Sequence, residues 1–129
     1  MKKDLINLEV LFEIVRTLRC ENGCPWDKKQ TPETLLQYFF DELHELKEAI
    51  EKDDLENICE ELGDLLFLLV FMTQLFKDEF TIDNVIDNVA KKMIRRHPHV
   101  YSDAKISNIE ELKVQWDFIK ELEKTNNKD

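Results

Sequence analysis

The sequence has few of the residues that form tight turns, with two glycines and three prolines in 129 residues. A fold of many β-strands needs a turn after almost every strand, and glycine and proline supply much of that turn chemistry. Hydrophobic residues make up 43% of the chain and charged residues 36%, which is enough for a core and too apolar for a disordered segment. We therefore predict a single all-α domain over residues 1–129.

Long apolar runs are also missing. The longest extends over eight residues, from Leu65 to Met72, whereas a helix that spans a bilayer needs about 20. The chain opens with an amphipathic stretch, not with the continuous apolar segment of a signal peptide. Its three cysteines are an odd number without a disulfide pattern, which is typical of a reducing compartment. We expect a cytoplasmic protein without a membrane partner.

Positive charge is scarce as well. Eighteen lysines and arginines against 28 acidic residues give a net charge of −10. Because binding to a nucleic-acid polymer relies on a basic face, we expect no such partner. A small anionic substrate remains compatible with this charge, since divalent cations can lie between it and an acidic pocket.

Apolar residues recur at three- and four-residue steps along most of the chain, which is the period of an amphipathic helix. Thr31-Pro32 is a typical helix start, and two Asp/Ser-x-x-Glu capping boxes mark two further starts. Five helices are predicted, with approximate bounds Leu5 to Arg19, Pro32 to Lys52, Asp53 to Lys77, Thr81 to Arg96 and Ser107 to Leu122, followed by a polar tail from about residue 125.

The third predicted helix is apolar nearly all round between Leu62 and Phe76. A helix of that kind needs neighbours on every side. A lone domain of five helices and this length could bury it only partly. We therefore predict an antiparallel helical bundle that is completed by a homodimer or a larger homo-oligomer.

Two pairs of acidic residues stand three positions apart, Glu42 with Glu45 and Glu61 with Asp64, so each pair shares a helix face. Most acidic pairs at this spacing are solvated surface residues. These two pairs differ because their helix faces also carry leucines. The short turn between the second and third helices makes those helices antiparallel neighbours, and the two pairs are therefore expected to face each other.

Four inward carboxylates repel one another, and burying them is costly unless they are paired with basic groups or bound to a metal. A bound divalent cation is the simplest way to neutralise these carboxylates, and pairing with basic residues is the other way. All-oxygen ligation favours Mg²⁺, with Mn²⁺ as a substitute. A di-iron bundle would need Glu-x-x-His on two helices, and only Asp41-x-x-His44 comes near that form.

A dense basic patch ends the fourth predicted helix of this acidic chain. Lys92 and Arg96 are four residues apart and could bind phosphate oxygens together, the arginine as a fork and the lysine as a point charge. Cations at this position also match the helix dipole, and that explanation suffices for Lys91. Trp116 is either a core residue or a base-stacking residue.

Four motifs taken together resemble the MazG-type nucleoside triphosphate pyrophosphohydrolases, which belong to the all-α NTP pyrophosphatase superfamily. The resemblance covers about Leu18 to Lys120 and corresponds to a single-domain form. Each motif alone is weak, but four in order at the family's spacing are specific. The motifs are GCPWDKKQT from Gly23, DELHE from Asp41, EELGDLLF from Glu60 and RRHPHVY from Arg95.

The resemblance implies that the chain hydrolyses NTPs or dNTPs to a nucleoside monophosphate and pyrophosphate, by attack of a metal-activated water at the α-phosphate. It makes Mg²⁺ the cofactor and implies a dimeric assembly. The implied magnesium ligands are Glu42, Glu45, Glu61 and Asp64.

The resemblance also suggests which residues serve the reaction. Either Asp41 or Glu45 is expected to take the proton from water, although Asp41 stands where the family usually has glutamate. Lys92 and Arg96 are expected to stabilise the leaving pyrophosphate. The expected substrate contacts are Lys92, Arg95, Arg96, Trp116 and Lys28.

Two alternatives remain open at this point. A relative with a narrower substrate, such as dUTP, dCTP or phosphoribosyl-ATP, would share these motifs. A non-catalytic helical dimer that binds nucleotides or regulates another protein would also retain them.

Overall fold

A computed structural model describes residues 7–126, and every regular element in that range is an α-helix. The chain divides into two units, Met1–Ile82 and Asp83–Asp129. Within residues 7–126 there are seven helices: α1 (Leu8–Arg19), α2 (Pro25–Lys28), α3 (Pro32–Glu51), α4 (Leu55–Leu75), α5 (Ile82–Arg95), α6 (Pro98–Tyr101) and α7 (Ile109–Asn126).

The all-α prediction is confirmed, and the five predicted helices correspond to α1, α3, α4, α5 and α7. The two short helices α2 and α6 lie between the predicted helices, in segments where we predicted no helix. Each begins with a proline, Pro25 or Pro98, whose fixed φ suits the first turn of a helix. The prediction failed there because a four-residue helix is too short to show a hydrophobic period.

Helix starts follow local capping chemistry. The predicted start of α3 is correct, because the Thr31 hydroxyl accepts from the Thr34 N–H and the Thr34 hydroxyl accepts from the Thr31 N–H. The predicted start of α4 is one residue early. Asp54 is the residue that caps α4, and its carboxylate accepts from the Asn57 N–H at 3.2 Å. Asp53 instead has a φ of 53° and belongs to the preceding turn.

The last helix shows a similar shift. Asn108 accepts from the Glu111 N–H at 2.8 Å, so the cap lies one residue after the predicted Ser107. Helix α7 continues to Asn126, beyond the predicted end near Leu122. Of the predicted polar tail, Thr125 and Asn126 are therefore helical, whereas residues 127–129, like Leu5 at the other end, lie outside the described residues.

Helices α1, α3 and α4 form the core of the first unit. The most extensive helix–helix contact joins α3 to α4, and the short turn between them makes this pair antiparallel. Val15 of α1, Leu35 of α3 and Phe71 of α4 have no exposed surface. Packing of these side chains fixes the relative position of α3 and α4, the two helices that carry the predicted metal ligands.

One side of α4 remains exposed, as its composition indicated. Leu62, Leu66 and Leu69 are each about half-exposed, while Leu68 and Phe71 on the other side are buried. Helix α3 also carries exposed apolar residues, at Leu36, Phe40, Leu43 and Ile50. Contiguous apolar surface of this kind is a frequent mark of a protein interface. The predicted oligomer is not tested by a single chain and stays a prediction.

Among residues 7–126, no helix combines the length and the apolar composition that crossing a bilayer requires.

The loop between α1 and α2 brings Gly23 against the backbone of α1. A Cβ at Gly23 would lie 2.2 Å from the Leu18 carbonyl oxygen, and that oxygen also accepts from the Cys24 N–H at 2.8 Å.

Because backbone must move to admit a methyl group, we expect Gly23→Ala to lower the free energy of unfolding by about 1–3 kcal/mol, measured by urea denaturation. Gly63→Ala is the control, since a Cβ there meets nothing within 4 Å. Equal destabilisation by both variants would contradict the predicted clash between a Cβ at Gly23 and the backbone of α1.

Candidate metal and nucleotide site

Three of the four predicted metal ligands come together in the first unit. Glu42 and Glu45 project from α3 and Glu61 projects from α4. One carboxylate oxygen from each lies within 4.8 Å of the other two. The i, i+3 spacing on α3 and the antiparallel packing of α4 against it produce this group, which we call the acidic cluster.

Burial differs among the members of the acidic cluster. Glu61 is only 6% exposed, Glu42 is half-buried and Glu45 is exposed. The Oε2 atoms of Glu42 and Glu61 are buried and have no hydrogen-bond partner among the described residues. Buried acceptors in proteins are nearly always satisfied. These two oxygens therefore call for a proton or a cation.

The close approach of the carboxylates raises the proton affinity of the acidic cluster. The pKa of Glu42 is raised to about 8, first because its protonated form would donate a hydrogen bond to Glu61, then by burial and by the charges of Asp64, Glu61 and Glu45. The pKa of Glu45 is also raised, mainly by the charge of Glu61. A divalent cation would relieve the same repulsion without a proton.

Asp64 and Asp41 lie outside the acidic cluster. Asp64 is exposed, but its charge raises the pKa of both Glu42 and Glu45, which places it at the margin of the group. Asp41 is exposed and is not among the clustered carboxylates. A helix turns by about 100° per residue, so Asp41 projects about 100° around α3 from Glu42, although it lies only about 40° from Glu45.

The donor set of the acidic cluster fits a hard divalent cation. It consists of carboxylate oxygens alone, which Mg²⁺ and Mn²⁺ prefer. From the sequence, the other way to neutralise the four carboxylates was pairing with basic residues. Within residues 7–126, none of the ion pairs involves Glu42, Glu45, Glu61 or Asp64. The chemistry of these residues therefore favours a metal.

The second unit holds all the residues predicted to bind substrate except Lys28. Lys92 and Arg96 are on successive turns at the end of α5, where the Arg96 N–H donates to the Lys92 carbonyl at 2.9 Å. Lys92 is half-buried and has no ion-pair partner among the described residues. The Arg96 guanidinium carbon lies 5.4 Å from the centroid of the Trp116 ring. We call Lys92, Arg95, Arg96 and Trp116 the basic cluster.

Glu123 of α7 joins the basic cluster, and sequence reasoning missed it. It accepts from Arg95 Nε and from Arg96 Nη2, the latter at 2.8 Å. The pKa of Glu123 is lowered to about 2 by the hydrogen bonds from Arg96 and Arg95. The sequence held no signal for this pairing, because Glu123 is one of 28 acidic residues and lies 27 positions from Arg96.

Lys28 occupies a local structural position in the first unit. Its ammonium donates to the Glu21 carbonyl at 2.8 Å and thereby closes the loop between α1 and α2. The side chain remains exposed. A substrate contact by Lys28 stays a prediction.

The fold and these clusters define a class, an all-α protein whose first unit carries carboxylates suited to a hard divalent cation and whose second unit carries donors suited to an anion. The chain belongs to the MazG nucleotide pyrophosphohydrolase domain family, whose model matches residues 30–101. The family predicted from the four motifs is thereby confirmed.

Curated relatives with substantial identity come from several bacteria. The chain is 42% identical over 130 residues to the nucleoside triphosphate pyrophosphohydrolase/pyrophosphatase MazG of Thermotoga maritima, an alignment that covers 99% of this chain and 49% of that protein. It is 39% identical to the nucleoside triphosphate pyrophosphohydrolase of Escherichia coli K12, with 91% and 46% covered. It is 48% identical to the uncharacterized protein YabN of Bacillus subtilis, with 86% and 23% covered. The chain thus spans half or less of these relatives.

A solved structure shares the fold over nearly its whole length. The crystal structure of a mazG-related protein from Thermotoga maritima superposes with a TM-score of 0.73 at 34% identity, covering 88% of this chain and 98% of that one. This agreement confirms the all-α MazG-like fold that the motifs implied.

Proposed function

We propose that this chain hydrolyses nucleoside triphosphates to nucleoside monophosphates and pyrophosphate with Mg²⁺ as cofactor. The observation that carries the proposal is the pair of buried, unpartnered oxygens of Glu42 and Glu61 within an all-carboxylate cluster. Membership of a family of nucleotide pyrophosphohydrolases supports the substrate class. A cytoplasmic location, where such nucleotides are plentiful, is part of the proposal.

In this proposal the acidic cluster holds the cation, with Asp64 at its margin. When bound, Mg²⁺ would screen the charge of the phosphates and lower the pKa of a water. Glu45 is the better candidate for receiving the proton of the attacking water, because it is exposed and belongs to the cluster. Asp41, the other candidate, lies outside the cluster.

The basic cluster is proposed to bind the phosphate chain. Lys92 offers an ammonium without an ion-pair partner among the described residues, and Arg96 offers a guanidinium fixed against Trp116. Donors held in place before the reaction stabilise charge that develops on a leaving group. We propose this role toward pyrophosphate for Lys92 and Arg96. Arg95, Trp116 and Lys28 are proposed as further contacts to the substrate.

The test is a product assay with purified protein, Mg²⁺ and a panel of NTPs, dNTPs and phosphoribosyl-ATP. We expect pyrophosphate and a nucleoside monophosphate, and we expect a chelator to stop the reaction. Release of single phosphate would contradict cleavage at the α-phosphate. Turnover confined to dUTP, dCTP or phosphoribosyl-ATP would identify the narrower relative. Nucleotide binding without any product would favour the non-catalytic module.

We further propose that the active form is a homodimer or larger assembly that buries the exposed apolar side of α3. This side includes a concavity of about 490 Å³ whose apolar lining comprises Phe40, Leu43, Leu46 and Ile50. A charge placed there would have to be buried at an interface, at a high free-energy cost. Leu43→Glu is therefore expected to lower the mass measured by light scattering, to half of it if the assembly is a dimer.

Gln37→Glu is the matched control for this prediction, since it introduces the same charge at an exposed polar position of α3. It should leave the mass unchanged. A wild-type chain that is monomeric at micromolar concentration would contradict the proposed assembly.

A further inference from the structure

Glu123 makes more polar contacts with the basic cluster than any sequence pattern suggested. The Glu123 carboxylate accepts hydrogen bonds from Arg95 Nε, Arg96 Nε and Arg96 Nη2. The Arg96 and Glu123 side chains are 16% and 15% exposed, so this ion pair is largely screened from water. Two adjacent arginines on one helix end would repel each other, and the carboxylate between them offsets that repulsion.

Two opposite consequences can follow from such a carboxylate. It can mask the arginines and compete with an anionic substrate. Alternatively, it can hold the guanidinium of Arg96 in one position and so reduce the entropy that binding would otherwise cost. The charge of the cluster and the free atoms of Arg96 decide between these possibilities.

Charge count argues against masking. The basic cluster contains the three cations Lys92, Arg95 and Arg96. Only one carboxylate, that of Glu123, is paired with it, so the cluster keeps a positive net charge. The geometry of Arg96 argues for positioning. Its Nε and Nη2 atoms are bound to Glu123, while its Nη1 has no hydrogen-bond partner among the described residues. The carbon of the same guanidinium lies over the Trp116 ring, 5.4 Å from its centroid. The group is held by Glu123 along one edge and contacts Trp116, and Nη1 remains available as a donor.

We propose that Glu123 is a positioning residue that orients Arg96 toward the phosphate chain of a polyphosphate ligand. The proposal rests on the proposed function for the identity of the substrate, and on the contacts of Glu123 for the mechanism. Glu123 itself does not touch the substrate. It acts by keeping Arg96 on Trp116 and by separating the charges of Arg95 and Arg96.

The first test compares steady-state kinetics of wild type, Glu123→Gln and Glu123→Asp. For Glu123→Gln we expect KM for the NTP to rise about 2- to 12-fold, the factor for re-ordering one long side chain on binding. We expect kcat to fall as well, because the proposed function also gives Arg96 a role toward the leaving pyrophosphate. Glu123→Asp keeps the charge and should recover part of the loss. Glu121→Gln is the matched control, since Glu121 is an exposed acid of the same helix that pairs with Lys124. An unchanged or lower KM for Glu123→Gln would overturn the proposal.

A double-mutant cycle then asks whether Glu123 acts through Arg96. In an Arg96→Gln background, Glu123→Gln should add little to KM, because the residue to be positioned is gone. Fully additive effects would show that Glu123 works by another route and would also overturn the proposal. Circular dichroism confirms that each variant is folded before its kinetics are compared.

A binding measurement separates this proposal from the proposed function. The chain has two tryptophans, so a Trp26→Phe background leaves Trp116 as the only one, and its fluorescence reports on Arg96 above the ring. We expect inorganic tripolyphosphate with Mg²⁺ to change this signal, and Glu123→Gln to weaken the apparent affinity where Glu121→Gln does not. If no NTP is hydrolysed but this difference is found, the proposed function fails and the role of Glu123 stands. If NTPs are hydrolysed and Glu123→Gln binds tripolyphosphate normally, only the role of Glu123 fails.

Discussion

Replacing Glu61 with glutamine is expected to abolish Mg²⁺-dependent pyrophosphate release while making the metal-free protein more stable. Glu61 is 6% exposed and contributes a carboxylate oxygen to the acidic cluster. Removal of a group that merely orients a metal ligand typically costs 10- to 100-fold in metal affinity or activity. Loss of a ligand itself should therefore reduce turnover by at least about 100-fold.

The stability gain has a separate cause. At about 4 Å, two like charges repel by about 4 kcal/mol at an effective dielectric constant near 20. Glutamine removes one of these charges and brings an amide N–H that can donate to the unpartnered oxygen of Glu42. We expect the free energy of unfolding without metal to rise by on the order of 1 kcal/mol, measured by urea denaturation in a chelator.

Mg²⁺ should then act differently on the two proteins. A ligand that binds only the native state stabilises it by about 2.7 kcal/mol at 100 times its Kd, so wild type should melt at a higher temperature with Mg²⁺. Glu61→Gln should lose most of that increase. The control is Glu60→Gln, which removes the same charge at the exposed neighbouring position and should resemble wild type. Undiminished turnover of Glu61→Gln would refute the metal assignment.

Replacing Phe71 with alanine is expected to produce the largest loss of stability of any single substitution described above. Phe71 has no exposed surface, packs edge-on against Phe67 at 5.8 Å between ring centroids, and lies under the Arg19 guanidinium. Truncation removes all these contacts and leaves a cavity that the helices cannot fill. Such changes cost about 3–5 kcal/mol, a large part of the about 5–15 kcal/mol that holds a typical domain folded.

Urea denaturation followed by circular dichroism would measure this loss. Phe71→Leu keeps most of the volume and should lose much less. Phe118→Ala deletes the same atoms from a side chain that is 63% exposed, and its cost should stay within about 0.5 kcal/mol. If Phe71→Ala and Phe118→Ala were equally destabilised, Phe71 would not be the centre of the core.

Much of the fold was predictable because helices of four turns or more repeat their apolar pattern often enough to be recognised. α3 and α4 were predicted to within about two residues of their observed ends. Helices α2 and α6, with four residues each, have too few positions for a pattern. At the starts of α4 and α7, two neighbouring residues could each act as the cap, and only the backbone conformation decides between them. Asp53 adopts a left-handed φ, which leaves the cap to Asp54.

The candidate site was predictable to a similar degree. The acids that share a helix face with leucines come together, as Glu42, Glu45 and Glu61 do. Periodicity could not rank them by burial, because a position at the edge of a helix face is buried or exposed according to its neighbours. Asp64 is exposed for this reason. Glu123 could not be predicted at all, since its ion pair with Arg96 joins two side chains that are far apart in the sequence.

The length of the short turn between α3 and α4 determines which acidic residues of the two helices lie at the same height. Counted from Asp53, Glu45 lies eight residues before (53 − 45) and Glu61 eight residues after (61 − 53). Glu42 and Asp64 are likewise each eleven residues away (53 − 42 and 64 − 53). At 1.5 Å per residue, the inner two stand at the same height, roughly 12 Å above the turn. Most surface loops tolerate insertions. One extra residue in this turn, however, would shift α3 along α4, and the carboxylates would no longer lie at the same height. The acidic cluster therefore constrains the number of residues in this turn as well as the identity of the acidic residues.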